Sequence, residues 1–306
     1  MPIELLPTDS AAQLRRRLHR QPELSGAEFQ TAQQILHFFA DLKPDETLTE
    51  LGGTGVAFVF SGAEPGPTVL LRCELDALPI QEENTFAHRS TAAGCAHKCG
   101  HDGHMAILAA VGIQLAAQRP LRGRVVLLYQ PAEETGQGAA AVIADEKFSQ
   151  IRPDYVFALH NLPGQPLGQV VVRSGTFSCA SRGVTITLLG KTAHAAQPET
   201  GISPAAAMCQ LIDELSQLPT RLGFGDELAF ATVVGARLGE KAFGTSPAKD
   251  RELNNLTICA CLAALTPALS PGERELDPAP FSPGRRVGDE GSGVVHLIKS
   301  LILRPK

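Results

Sequence analysis

The sequence predicts an α/β protein: a mostly parallel sheet covered by helices on both faces, followed by a second, smaller α+β domain. Three observations carry this expectation. Short apolar runs rich in β-branched residues alternate with helix-like stretches up to about residue 160, the mark of strands joined by crossover helices. Near residue 180 the pattern changes to half-exposed strand alternation. Residues 264–293 then hold five prolines and five glycines in 30 residues, a composition that suits neither a helix nor a central strand and has little to bury.

In chain order, residues 9–42 read as two helices. Ser25 and Glu28 stand at capping-box spacing ahead of Phe29, Ile35 and Phe38, and so are expected to open the second helix. GVAFVF (55–60), TVLLRCEL (68–75), RVVLLYQ (124–130) and DYVFALH (154–160) read as strands. Between the second and third of them, residues 103–118 have the length and alanine content of a helix, and 139–145 suggest another. In the second domain, 182–194 alternates as a strand and 203–218 reads as a helix capped by Ser203, with Pro204 in its first turn. Residues 228–239 form another expected strand and 252–263 one more. The tail is expected to be irregular, with the apolar segment VVHLIKSLIL (294–303) docking as a short helix.

Composition narrows the function. A chain of 306 residues, 43% of them apolar, can bury a sizeable core. Its net charge is −5 and it has no basic run, a poor basis for nucleic-acid binding. The longest apolar run, 106–117, is too short to span a bilayer and contains Gln114. The N-terminus lacks an apolar signal core, so cytoplasmic residence is expected. Seven irregularly spaced cysteines suggest free thiols or ligands rather than a disulfide framework.

The chemistry concentrates in HKCGHDGH (97–104). Cys99 and His101 lie two apart in a glycine-flanked loop, so both side chains can face one ion. The following helix N-terminus favours the thiolate that binds metal. An ordinary polar loop is one alternative, and a structural zinc site of Cys95, Cys99, His101 and His104 is another. YQPAEETG (129–136) places Glu133 and Glu134 after a strand, where ligands gather in open α/β sheets; one carboxylate can hold metal while its neighbour stays free as a base. FALHNLP (157–163) puts His160 at the end of another strand. LRCELDALP (71–79) puts Glu74 and Asp76 at a third strand end, where Asp76 either orients a ligand histidine or caps a turn. Gly-Lys-Thr at 190–192 is not a phosphate loop, because Thr185 stands where that motif needs glycine.

These segments resemble the dinuclear metallopeptidases that include aminoacylases, hippurate hydrolase and auxin-conjugate amidohydrolases, peptidase family M20. The matching stretches are 18–31, 71–80, 97–106, 125–139, 154–164, 190–204 and 231–248, in family order over about residues 10–258. The resemblance implies a three-layer catalytic domain at 1–180, interrupted by an inserted α+β lid at 181–262 through which the protein forms a homodimer. It implies divalent metal, two ions per site in the intact family, with Zn, Mn, Co or Ni all suited to the donors. It implies Cys99, His101, Glu134 and His160 as metal ligands and Glu133 as the catalytic carboxylate. It also implies that His194 reaches an active site to stabilise an oxyanion. The implied reaction is hydrolysis of the amide bond of a small N-acyl amino acid or peptide-like conjugate, with no nucleic-acid or membrane partner.

The resemblance fades near residue 258, and 263–306 is expected to be a non-family tail. His296 does not carry over as the family's final ligand. Both domains are therefore expected to be incomplete, with uncovered apolar surface, an unpaired strand edge and weak turnover. Two readings compete: a metal-dependent amidohydrolase, and a truncated, inactive remnant that binds metal weakly or dimerises through its lid.

Overall fold

The computed structural model describes residues 9–166, 168–172, 180–191, 193–194, 196–222, 229–238 and 255–264. Among these the chain divides into two compact units, one ending at Val170 and the other beginning at Val171.

In the first unit the elements run α1 (Asp9–Arg20), α2 (Phe29–Ala40), β1 (Glu46–Leu51), β2 (Gly55–Ser61), β3 (Glu64–Glu74), α3 (His101–Ala117), β4 (Arg122–Gln130), α4 (Gly138–Ala144), a 3-10 turn (Glu146–Ile151) and β5 (Tyr155–Ala158). They build one sheet of order β1-β2-β4-β3-β5. β3 runs parallel to both β4 and β5, while β2 is antiparallel to β4 and to β1. Four of the five strands therefore point the same way, as the mostly parallel prediction requires.

Strand alternation sends successive side chains to opposite faces, and each face has its own core. On one face Val56, Phe58, Phe60, Leu127 and Tyr129 pack against Leu14, Leu18, Ile35, Phe39, Met105 and Leu108 from α1, α2 and α3. The rings of Phe39 and Phe58 stack at 3.9 Å. Gly112 lets α3 come this close, since a Cβ there would meet the Phe39 ring at 2.4 Å. On the other face Ala57, Val59, Leu70, Val126 and Leu128 are covered by Leu48, Leu51, Val142 and Ile151. β5 forms one edge, with Tyr155 and Phe157 exposed.

The second unit holds β6 (Ala180–Leu189), a 3-10 turn (Pro198–Thr200), α5 (Ala205–Arg221), β7 (Ala229–Leu238) and β8 (Asn255–Ala264). Its sheet has the order β6-β8-β7 and is antiparallel throughout.

Four expectations need correction. β1 was absent from the sequence reading: of its six residues only Leu48 and Leu51 are buried, a three-residue spacing that carries no strand alternation. Ser25 and Glu28 form no capping box, because Glu28 is itself the N-cap of α2 and makes no side-chain cap bond; both side chains are used elsewhere, as described below. β6 ends at Leu189 rather than 194. α5 has Pro204 as its N-cap, while the Ser203 hydroxyl accepts the Ala205 N–H at 3.3 Å. Of the predicted tail, residues 265–306, including His296, lie outside the described residues.

Candidate metal centre

Three strands of the first unit end at one rim. β3 runs into Asp76, β4 into Pro131–Glu134, and β5 into His160, while α3 begins with His101 at the same rim. Gly100, at φ 99°, makes the left-handed turn into α3, a conformation that side-chain-bearing residues rarely adopt. The turn leaves Cys99 just before the helix and buries His101 in its first turn.

The ligand atoms of Cys99, His101 and His160 lie within 4.8 Å of one another, and so do those of His101, Glu133 and Glu134. Cys99 Sγ is 3.3 Å from His160 Nε2, and His101 Nε2 is 3.7 Å from an oxygen of each glutamate. The structure thus brings together Cys99, His101, Glu133, Glu134 and His160, from three separate segments. Glu74, His101 and His104 form a further group with ligand atoms within the same 4.8 Å. Cys95 belongs to none of these groups among the described residues, which removes the four-ligand structural zinc alternative. His194 lies in the second unit, exposed, with its Nδ1 accepting the Ala196 N–H at 3.1 Å.

The buried polar groups behind the centre hold it in place. Asp76 is fully buried. Its Oδ2 accepts the Ser25 hydroxyl at 2.6 Å and the Glu134 N–H at 2.9 Å. His101 Nδ1 donates to the Asp76 carbonyl at 2.8 Å and lies 3.4 Å from Asp76 Oδ1. Asp76 thus touches both the His101 ring, chiefly through its backbone carbonyl, and the turn that carries Glu134. Burial alone raises a carboxyl pKa; at Asp76 the bonds from His101, Ser25 and Glu134 outweigh it and bring the value down to about 2. Burial likewise pushes His101 down, but the Asp76 and Cys99 side chains and the Glu74 charge outweigh it and lift the imidazole to about 11. Glu134 is raised by burial, with the Glu133 and Asp76 charges adding to it.

The turn carrying the glutamates is strained. Ala132 sits at φ 47°, a left-handed backbone that costs an alanine about 1–3 kcal/mol. Glu28 over-determines it: one oxygen accepts the Ala132 N–H at 2.8 Å and the other the Thr54 hydroxyl at 2.7 Å, with the carboxylate fully buried. The Gly138 N–H closes the turn on the Ala132 carbonyl at 3.0 Å, and a Cβ at Gly138 would strike the Pro131 carbonyl oxygen. Sequence reasoning missed Glu28 as a support, because its partners lie 26 and 104 residues away.

Two buried atoms, 3.7 Å apart, fit a cation. His101 Nε2 and Glu134 Oε1 are both buried without a hydrogen-bond partner, an expensive state for polar atoms. They face a set of thiol, imidazole and carboxylate donors that suits borderline divalent ions.

The model of Peptidase family M20/M25/M40 matches residues 70–279. The chain belongs to this family. Among curated M20-type relatives, N-acetyldiaminopimelate deacetylase of Priestia megaterium is 34% identical over 208 residues, covering 68% of this chain and 55% of the relative. N-acetyl-L-cysteine deacetylase of Bacillus subtilis is 38% identical over 209 residues, covering 68% and 50%. The chain thus spans about half the length of these relatives. Among solved structures, the Bacillus subtilis YXEP protein, a dinuclear metal binding peptidase from the M20 family, superposes with TM-score 0.59 at 27% identity, over 84% of this chain and 64% of that one. The aminobenzoyl-glutamate utilization protein from Klebsiella pneumoniae shares the fold, with TM-score 0.58 at 21% identity over 84% and 67%. No described helix is long and apolar enough to cross a membrane.

Proposed function

We propose that this chain is a metal-dependent amidohydrolase that cleaves the amide bond of small N-acyl amino acids, with Cys99, His101, Glu134 and His160 holding divalent metal and Glu133 acting as the base. The observation that carries this reading is the meeting of Cys99, His160, Glu133 and Glu134 around the partnerless Nε2 of buried His101. Such an ion, when bound, would supply Lewis acidity that lowers the pKa of water toward about 7. Glu133 takes one proton from the attacking water and delivers it to the departing nitrogen as the carbon–nitrogen bond breaks. The products are a carboxylic acid and a free amine. Glu133 suits this role because its side chain keeps some solvent access, at 28% exposure, whereas His101 is 1% exposed. The neighbouring Glu134 is the less open of the two carboxylates, at 19%.

The substrate class follows the names of the relatives, both deacetylases of N-acetylated amino acids. Residues 1–180 act in this reading as the catalytic domain and 181–262 as a lid that pairs two copies. His194 of the lid donates to the developing oxyanion.

Hydrolysis of N-acetyl- and N-benzoyl-amino acids by the purified chain, with added Mn or Zn, tests the reading. Metal-dependent release of free amino acid, abolished in Glu133→Gln, is expected. No release with any of these metals refutes it and favours the inactive remnant, whereas release unchanged in Glu133→Gln refutes Glu133 as the base.

A further inference from the structure

His160 stands apart from the other proposed ligands. It is exposed, and it follows an edge strand with one neighbour in the sheet, so the strand pairing that locates the centre of the sheet does little to fix its ring. What fixes it is a line of hydrogen bonds that starts in the interior. Arg72 pairs with Glu74 at the end of β3, and Arg72 Nε also donates to Gln130 Oε1 at 2.9 Å, tying the pair to β4. Glu74, 2% exposed, accepts from His104 Nδ1 at 2.8 Å. The opposite nitrogen of the same ring, Nε2, accepts the Asn161 backbone N–H at 3.1 Å and lies 2.7 Å from the end of the Asn161 side-chain amide. The Asn161 carbonyl in turn lies 2.8 Å from His160 Nδ1. A carbonyl only accepts, so that nitrogen carries the proton and Nε2 is left with its lone pair, 3.3 Å from Cys99 Sγ.

Asn161 also reaches the other ligand-bearing segment. A Cβ on Gly100 would come within 2.5 Å of Asn161 Oδ1, so the amide packs directly on the bare backbone between Cys99 and His101. The ring of His104 completes the enclosure, 4.7 Å edge-to-face from the ring of His160.

We infer that Asn161, held by the buried Glu74–His104 pair, is a positioning residue that sets the tautomer and aim of His160 and keys it to the Cys99–His101 loop. This rests on the metal-centre reading proposed above. Its physical basis is that a ligand histidine is oriented by the acceptor on its other nitrogen, and that loss of such partners weakens metal binding. Here the acceptor is a backbone carbonyl on an exposed segment, and its own position depends on the side chain two bonds away.

The test uses the full 306-residue chain. Cobalt(II) is titrated into the metal-free protein, following the thiolate-to-cobalt absorption and the visible ligand-field bands. Asn161→Ala and His104→Gln should bind cobalt about 10–100-fold more weakly than wild type, keeping the thiolate band and shifting the ligand-field bands. Nitrogen-15 NMR of the histidine rings in the metal-free wild type, assigned by the signal lost in His160→Ala, should show His160 protonated at Nδ1. In Asn161→Ala it should become a mixture of tautomers. Cobalt affinity unchanged in both Asn161→Ala and His104→Gln overturns the inference while leaving the metal centre standing. A wild-type His160 protonated at Nε2 overturns it without recourse to any variant. A wild-type chain that takes up no cobalt overturns the metal centre and, with it, the positioning role.

Discussion

The two sides of the candidate centre are built differently. On the inner side, Glu74, Asp76, His101 and His104 are each no more than 2% exposed. They are joined to one another and to Ser25, Arg72 and the Glu134 backbone by bonds that run through the middle of the sheet. On the outer side, His160 and Asn161 are exposed and follow an edge strand whose Tyr155 and Phe157 face solvent. The inner side is held by buried hydrogen bonds whose loss would strand polar groups away from water. The outer side borrows its order from the inner one through very few contacts. In a site of this kind the solvent-facing Tyr155 and Phe157 of the edge strand tolerate change, and the buried root tolerates almost none.

Substitutions should expose that asymmetry. The largest effect is expected from Asp76→Ala, which strips acceptors from Ser25 and the Glu134 N–H and removes the carboxylate beside His101. Stranding such partners costs about 1–3 kcal/mol apiece, so urea denaturation should show a loss of several kcal/mol, with metal uptake at least tenfold weaker by calorimetry. If stability and uptake both match wild type, the inner side is not the root of the site. Next comes Glu28→Ala, which leaves the Ala132 N–H and the Thr54 hydroxyl unpaired at a strained turn. A destabilisation of about 2–4 kcal/mol is expected, and Glu28→Gln should fall between it and wild type. At the small end, Tyr155→Ser and Phe157→Ser on the exposed edge should shift stability by no more than about 0.5 kcal/mol. A much larger loss at either position would show that the edge carries order of its own.

A pH prediction sharpens the same contrast from a second buried network. Glu82 accepts from the Ser90 N–H, Lys98, Asn84 and His19, and these bonds outweigh its burial to bring it from the ordinary 4.5 to about 2. A carboxyl whose folded pKa lies below its unfolded one contributes stability above the unfolded value and loses it as pH falls toward the folded one. The contribution of Glu82 is therefore complete above about pH 5 and fades between pH 4.5 and about 2. His19 has the opposite sign: the Asp102 bond outweighs burial and raises it above 6.5, so its share is present below pH 6.5 and is lost as pH rises through the raised value. Melting temperature measured in chelator should fall on the acid side in wild type and more gently in Glu82→Gln. Parallel acid limbs would place the acid sensitivity in other carboxylates.

Much of this architecture was legible in the sequence. β2, β3 and β4 announce themselves through β-branched runs, and α3 through its length. The spacing of Cys99 and His101, the adjacent glutamates and His160 pointed to one rim before any coordinates. Less visible was the support beneath them. Ser25 and Glu28 have the spacing of a helix cap, but the fold draws them away: Ser25 bonds Asp76 and Glu28 bonds Ala132. Local pattern cannot reveal partners 51 and 104 residues distant. β1 escaped because two buried leucines three apart do not alternate. Asn161 draws no notice by its residue type, since an asparagine after a strand usually reads as turn chemistry.

The close packing of Asn161 on Gly100 has an evolutionary consequence. With 2.5 Å between the amide oxygen and the place a methyl group would occupy at residue 100, the two positions cannot drift separately. A lineage that acquires any side chain at 100 must first shrink or redirect the amide at 161, and in doing so disturbs its contact with His104. Such a pair should therefore change together or stay fixed together, a covariation imposed by volume rather than by charge.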